Sequence, residues 1–203
     1  MTVTQTVAPP RSLTTMQPYF RELAVNRETA LALLDGLTAT QLAWCPDDVS
    51  WGLSEICAHL ANTFEVALPA LDRAIERGHG DAAYSDRPFT GNVVTRLMVW
   101  TMEPPVRVRL RAPRVLRPDP AADPLLSRQR YRAAQHAFEM RLERAAGLDL
   151  THVRVQLPTI RSLQLALGTV LALLLAHERR HLWQATVVRK AGPFPLAARR
   201  RFA

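Results

Sequence analysis

The sequence predicts an all-α protein, a four-helix bundle with a long crossover between its second and third helices. Three observations carry this expectation. Four stretches place apolar residues at spacings of three and four, each followed by glycine or proline. No stretch sustains the two-residue alternation of a half-buried strand, except a short one around Val153 to Leu157 that Pro158 cuts off. The connection from Gly78 to Asp123, rich in proline, glycine and arginine, is far longer than a turn needs and has the character of a lid or crossover.

The first helix is expected from about Met16 to Leu37, with Phe20, Leu23, Ala30, Leu34 and Leu37 on one side and Gly36 and Thr38 marking its end. The second runs from about Trp51 to Arg77, with Ser50 as N-cap, Ile56, Leu60, Val66 and Leu71 as apolar members, and Gly78 as the stop. Within the crossover, "GNVVTRLMVWTMEPP" (Gly91 to Pro105) reads as a short helix packed over one end of the bundle. The third helix follows Pro124 and reaches Ala146, spacing Tyr131, Ala134, Phe138, Leu142 and Ala145 by three and four before Gly147. The fourth begins near Ser162 and continues to Ala191, where Gly192 and Pro193 forbid extension. The expected organisation is one domain over residues 16–195, preceded by a flexible polar leader (1–15) and followed by a basic tail (196–203).

Composition narrows the function classes. With 203 residues, 48% hydrophobic and 22% charged, the chain can bury a substantial core. Cys45 and Cys57 form no C-x-x-C spacing, so no disulfide framework or cysteine zinc site is indicated, and a reducing cytoplasm fits. No basic n-region leads into an apolar h-region, which argues against secretion. The most apolar run, Leu163 to Ala176, is shorter than the ~20 residues a membrane span requires, so no membrane partner is expected. The net charge is +8, but the basic residues are scattered apart from Arg107 to Arg117 and Arg199 to Arg201. No aromatic residues interleave with them as stacking platforms, so no specific nucleic-acid partner is expected.

The fourth helix carries "HERRH", a His-Glu-x-x-His spacing. At ~100° per residue, His177 and His181 lie within ~40° of each other and share a face with Val170, Leu174, Gln184 and Val188, the face that points to the core. Buried neutral histidines need hydrogen-bond partners or a metal; neighbouring side chains and water could also satisfy them. A third ligand decides between these. Peptidases with this motif take theirs downstream, and from Leu182 to Ala203 the chain has no Asp, Glu or His. A protease is therefore not expected. In a bundle, a facing helix can supply the ligand, and His59 in "WGLSEICAHLANTF" completes a three-histidine facial site with His177 and His181. His79 in a loop, His152 in the alternating stretch and His136 on the solvent side of its helix are poorer candidates.

The segments "LAWCPDDVSWGLSEICAHLA" (Leu42 to Ala61) and "SLQLALGTVLALLLAHERRHLWQATVVRKAGPFP" (Ser162 to Pro195) resemble the DinB-like superfamily, the DNA-damage-inducible four-helix proteins, most specifically in Trp51, His59, His177, His181 and the Leu-Trp-Gln that follows. The resemblance implies a four-helix bundle, often a homodimer, that binds one divalent metal through three histidines, here His59, His177 and His181. Some relatives are S-transferases or isomerases that use a low-molecular-weight thiol such as mycothiol, bacillithiol or glutathione.

The expected function is a metal-dependent thiol S-transferase or hydrolase acting on a small electrophile such as an epoxide or haloaromatic, with a non-catalytic metal-stabilised domain as the alternative. Imidazole ligands do not choose among Zn, Ni and Fe. Around the site, Glu55 could orient His59 through its imidazole proton or sit in a surface salt bridge, and Gln184 could hydrogen-bond a substrate or serve in packing. Trp51 reads as a packing anchor or a substrate platform. Exposed apolar side chains such as Leu31 and Leu33 point to a homodimer.

Overall fold

The computed structural model describes residues 13–47, 49–106, 111–159, 163–192 and 194–195, and the protein is mostly helical. The expected tail 196–203 and residues 1–12 of the expected leader lie outside the described residues, as do Ser162 and Pro193.

A 3-10 turn over Leu13–Met16, with Met16 fully buried, leads into α1 (Gln17–Leu34), where Pro18 sits in the first turn and needs no partner for its missing N–H. The helix ends a turn earlier than expected. The Asp35 amide bonds back to the Leu31 carbonyl and Gly36 takes a φ of +72°, which suits glycine; Leu37 is buried as part of the turn that follows. Leu23, Ala30 and Leu34 face the core as the spacing predicts, and Phe20 is half-buried. A short helix that the periodicity did not announce, α2 (Ala39–Ala43), is closed by a capping box in which Thr38 and Gln41 exchange side-chain and backbone hydrogen bonds.

The long α3 (Leu53–Gly80) corrects both expected ends of the second helix. Ser50 is not its N-cap, because its amide and hydroxyl both bond to the Asp47 carboxylate; Gly52 takes the cap position and its N–H donates to Glu55 at 2.9 Å. Gly78 is not its stop. It lies inside the last turns, where a Cβ would come within 2.9 Å of Val153 and 3.2 Å of Leu148, so glycine there permits close packing. Pro69 sits within the helix on its exposed side.

The crossover contains α4 (Val93–Met102), capped by Asn92, and a 3-10 turn over Arg114–Leu116. Next comes α5 (Pro124–Ala145), which has Asp123 as N-cap, Gly147 at φ +82° just beyond its end, and Tyr131, Ala134, Phe138, Leu142 and Ala145 buried in the predicted order. The fourth stretch is not helical from its start. Two three-residue strands, β1 (Arg154–Gln156) and β2 (Gln164–Ala166), pair antiparallel with Val155 opposite Leu165, so the alternation at 153–157 is a genuine strand. Only then does α6 begin, spanning Leu167–Lys190.

One core joins these elements. α3 packs on α5 and α6, while α1 packs on α6 and α5. Phe64 of α3 meets Phe138 of α5 with ring centroids 5.2 Å apart, and each such fully buried side chain contributes about 1.5–3 kcal/mol. On the rim, Asp72 of α3 receives both Arg141 and Arg144 of α5. α4 lies along α6, held by a Thr95–Thr169 hydroxyl pair at 3.0 Å, by Arg179 to Glu103, and by Arg180 to the Thr101 carbonyl at 3.0 Å. No helix is long and apolar enough to cross a membrane among the described residues.

Candidate metal centre

Helical phase brings the three histidines together. His177 and His181 are one turn apart on α6, and α3 lies beside α6 with His59 on the shared side. One ring nitrogen from each lies within 4.8 Å of the others, and no further His, Cys, Asp or Glu joins the group among the described residues. The Nε2 atoms of His59 and His177 are 3.1 Å apart, and the ring of His181 stands 4.5 Å from each of the other two, centroid to centroid. Two imidazole nitrogens each ~2.0–2.1 Å from one zinc ion would be ~3.3 Å apart in a tetrahedral arrangement, so the spacing fits a shared cation.

Hydrogen bonding fixes part of this arrangement. His59 donates from Nδ1 to the Leu116 carbonyl at 2.7 Å, which leaves Nε2 as the free lone pair aimed at His177. The 3-10 turn of the crossover is thus the outer support of a ligand, and a second bond, from the Asn62 amide to the Arg117 carbonyl at 3.0 Å, fastens the same turn to α3. The ring of Trp51 covers the cluster, with centroids 4.9 Å from His59 and 6.0 Å from His181, the latter stacked. Nδ1 of His181 is buried and has no hydrogen-bond partner. A buried polar atom left in that state costs about 1–3 kcal/mol, so the His181 ring is not satisfied by hydrogen bonds within the protein.

Electrostatics keep all three rings neutral, the form that ligates metal. Burial lowers the pKa of His59, with the Leu116 bond opposing. Burial and the neighbouring His59 hold His177 down at about 3, and burial with the charges of His177 and His59 pushes His181 well below its ordinary value. Three neutral imidazoles would leave a bound divalent ion its full charge, with affinity for an anionic ligand.

The other expected site residues sit as follows. Glu55 does not reach His59; its carboxylate accepts from Gly52 N and from Cys45 Sγ at 3.4 Å, and the role of orienting His59 belongs to Leu116. Gln184, half-buried one turn beyond His181, favours the protonated form of that ring but makes no hydrogen bond to its Nδ1. His79 lies in the last turn of α3 rather than in a loop and bonds to the Arg144 carbonyl. His136 and His152 are exposed and pair with Glu139 and Asp149.

Glu178, between the two α6 histidines, is fully buried. Its carboxylate accepts from Asn26 Nδ2 (2.7 Å) on α1 and from Tyr131 Oη (2.7 Å) and Gln135 Nε2 (2.8 Å) on α5. Burial raises its pKa, and these hydrogen bonds oppose the rise only in part. A carboxylate occupied in this way is not placed to act as the general base of a peptidase.

No curated protein and no solved structure matches the chain. A family model described as the DinB superfamily matches residues 22–185, a span that includes α3, the whole crossover and all three clustered histidines. The chain belongs to the DinB superfamily.

Proposed function

We propose that His59, His177 and His181 together hold one divalent metal ion, and that the protein uses this centre as a thiol S-transferase or hydrolase acting on a small electrophile. The observation that carries the reading is the convergence of three neutral imidazoles, two buried and one half-buried, each with a ring nitrogen within 4.8 Å of the others. A divalent ion in that position supplies Lewis acidity, lowering the pKa of a thiol or water and so favouring an anionic nucleophile near neutral pH. The chain's own contributions are to hold the imidazoles deprotonated, to fix the His59 tautomer through Leu116, and to wall one side with the half-buried Trp51.

The absence of a fourth side-chain ligand among the described residues favours an open coordination position, hence catalysis over a purely structural ion. The structural reading keeps one support, since the ligands come from two helices that a bound ion would tie together. A four-helix bundle of α1, α3, α5 and α6 with the crossover laid over it frames the centre in this reading. Two free cysteines suit a cytoplasmic setting, and the exposed Val25 and Leu31 on α1 support a homodimer.

Elemental analysis after metal loading and desalting tests the centre. One equivalent of a divalent metal is expected in the wild type and far less in His59→Ala, His177→Ala and His181→Ala, while His136→Ala retains it. Unweakened metal in all three variants removes the site. A thiol-consumption screen with epoxides and haloaromatics then tests the activity; a metal-loaded protein that consumes no thiol and hydrolyses none of them leaves the structural reading.

A further inference from the structure

At the far end of α3 from the histidines, the helix and the β hairpin enclose a groove of about 260 Å³. Arg73 lies fourteen residues beyond His59 on one continuous helix, ~21 Å at 1.5 Å per residue, so the groove is separate from the metal centre. Helical spacing puts Ala70, Arg73 and Arg77 on one stripe of α3. Strand alternation sends Val155 and Leu165 inward and turns Arg154, Gln156 and Gln164 outward to face that stripe, with Gln156 and Gln164 paired across the ladder.

The charge in this groove is uncompensated. No acidic residue lines it among the described residues. Arg77 spends one N–H on the Arg154 carbonyl at 3.0 Å, which fastens the hairpin to the helix. Otherwise the side chains of Arg73, Arg77 and Arg154 make no hydrogen bond or ion pair with any described residue. Their neighbours are different: Arg130 pairs with Glu65, and Arg141 and Arg144 pair with Asp72. Three guanidinium groups around one concavity repel each other, and a multivalent oxyanion removes that repulsion while matching their planar forks bidentately. The small Ala70 leaves room at the floor, and the outward Gln164 amide can donate to oxygens that the arginines leave free.

We infer that this groove binds the phosphoryl group of a small molecule, with Arg73 and Arg77 from α3 and Arg154 from the hairpin holding its oxygens. Its volume is that of about nine waters at ~30 Å³ each, enough for a phosphate or pyrophosphate and a modest substituent. Nucleic acid is the weaker ligand class, because among the described residues no aromatic side chain lines the groove to stack a base. The inference stands apart from the metal centre and does not depend on it.

Calorimetric titration of the metal-loaded full chain with inorganic phosphate and with pyrophosphate, at constant ionic strength, tests it. Saturable binding at one site that persists when the metal is stripped is expected, weakened about tenfold or more in each of Arg73→Gln, Arg77→Gln and Arg154→Gln, and unchanged in Arg96→Gln on α4. Arg73 makes no contact that the fold uses, so its variant keeps the test readable even if Arg77→Gln loosens the hairpin. Amide shifts confined to 70–77, 154–156 and 164–166 on titration locate the ligand. Pyrophosphate binding tighter than phosphate identifies the phosphoryl chain of a metabolite; phosphate binding as tightly identifies the free ion. The inference is overturned by the lack of saturation up to about 10 mM, by equal weakening in Arg96→Gln, or by binding that survives the three variants and vanishes when the metal is stripped. A short single-stranded oligonucleotide bound more tightly than pyrophosphate through the same arginines overturns the small-molecule assignment.

Discussion

Glu178 is the residue at which a familiar motif and its surroundings part. It stands in the motif position of a peptidase base, yet it is fully buried and accepts hydrogen bonds from α1 and α5. Asn26 strengthens the junction by also donating to the Leu175 carbonyl at 3.1 Å. Replacing Glu178 with leucine keeps the volume but strands the donors of Asn26, Tyr131 and Gln135; at about 1–3 kcal/mol per unsatisfied buried group, a loss of about 3 kcal/mol or more is expected. Urea denaturation measures it, and a variant as stable as the wild type shows that the network contributes nothing. The histidines were legible from spacing because two lie on one helix, one turn apart, on a face that also carries Val170 and Leu174. The surroundings of Glu178 were not, since its partners come from two other helices and a lateral position on a helical wheel does not distinguish solvent from a neighbouring helix. The support of His59 was equally hidden, because a backbone carbonyl 57 residues away has no signature in residue type.

Among the elements, the long helices announced themselves and the short ones did not. α5 carries its apolar residues at regular spacing between Asp123 and Gly147, so both ends and its buried face could be read directly. The β hairpin could not: three residues give too little alternation to define a strand, and the partner Gln164–Ala166 merges into the apolar start of α6. What holds the crossover there is also a matter of contact rather than pattern. Phe89 lies over Gly168 in the first turn of α6, where a Cβ would sit 2.4–2.7 Å from three ring atoms. Gly168→Val therefore displaces the ring and is expected to cost about 1–3 kcal/mol as overpacking. In a double-mutant cycle, Phe89→Ala should relieve part of that penalty; strictly additive losses would mean that the ring does not meet this glycine in solution.

For the molecule as a whole, a cluster of neutral histidines, two buried and His177 half-buried, makes stability depend on pH. Each of the three has a folded-state pKa below its ordinary 6.5, so the unfolded chain binds more protons over the interval between the two values. The stabilisation they give is present above about 6.5 and is lost as pH falls, for His177 down to about 3. Glu178 works in the opposite sense: its pKa is raised, so its contribution is complete below its ordinary 4.5 and declines as pH rises through its folded value. With three groups against one, the net slope between pH 7 and pH 5 is a loss of stability on acidification. The partnered carboxylates of Asp72, Asp149 and Glu139 are lowered from values already below that window and add nothing there. Metal-stripped protein should therefore show a urea midpoint that falls steadily from pH 7 to pH 5. The loaded protein should be more stable at pH 7 and lose that margin as protons compete for the same nitrogens. A flat profile for the stripped protein across this window would mean that the histidines are not buried as neutral groups.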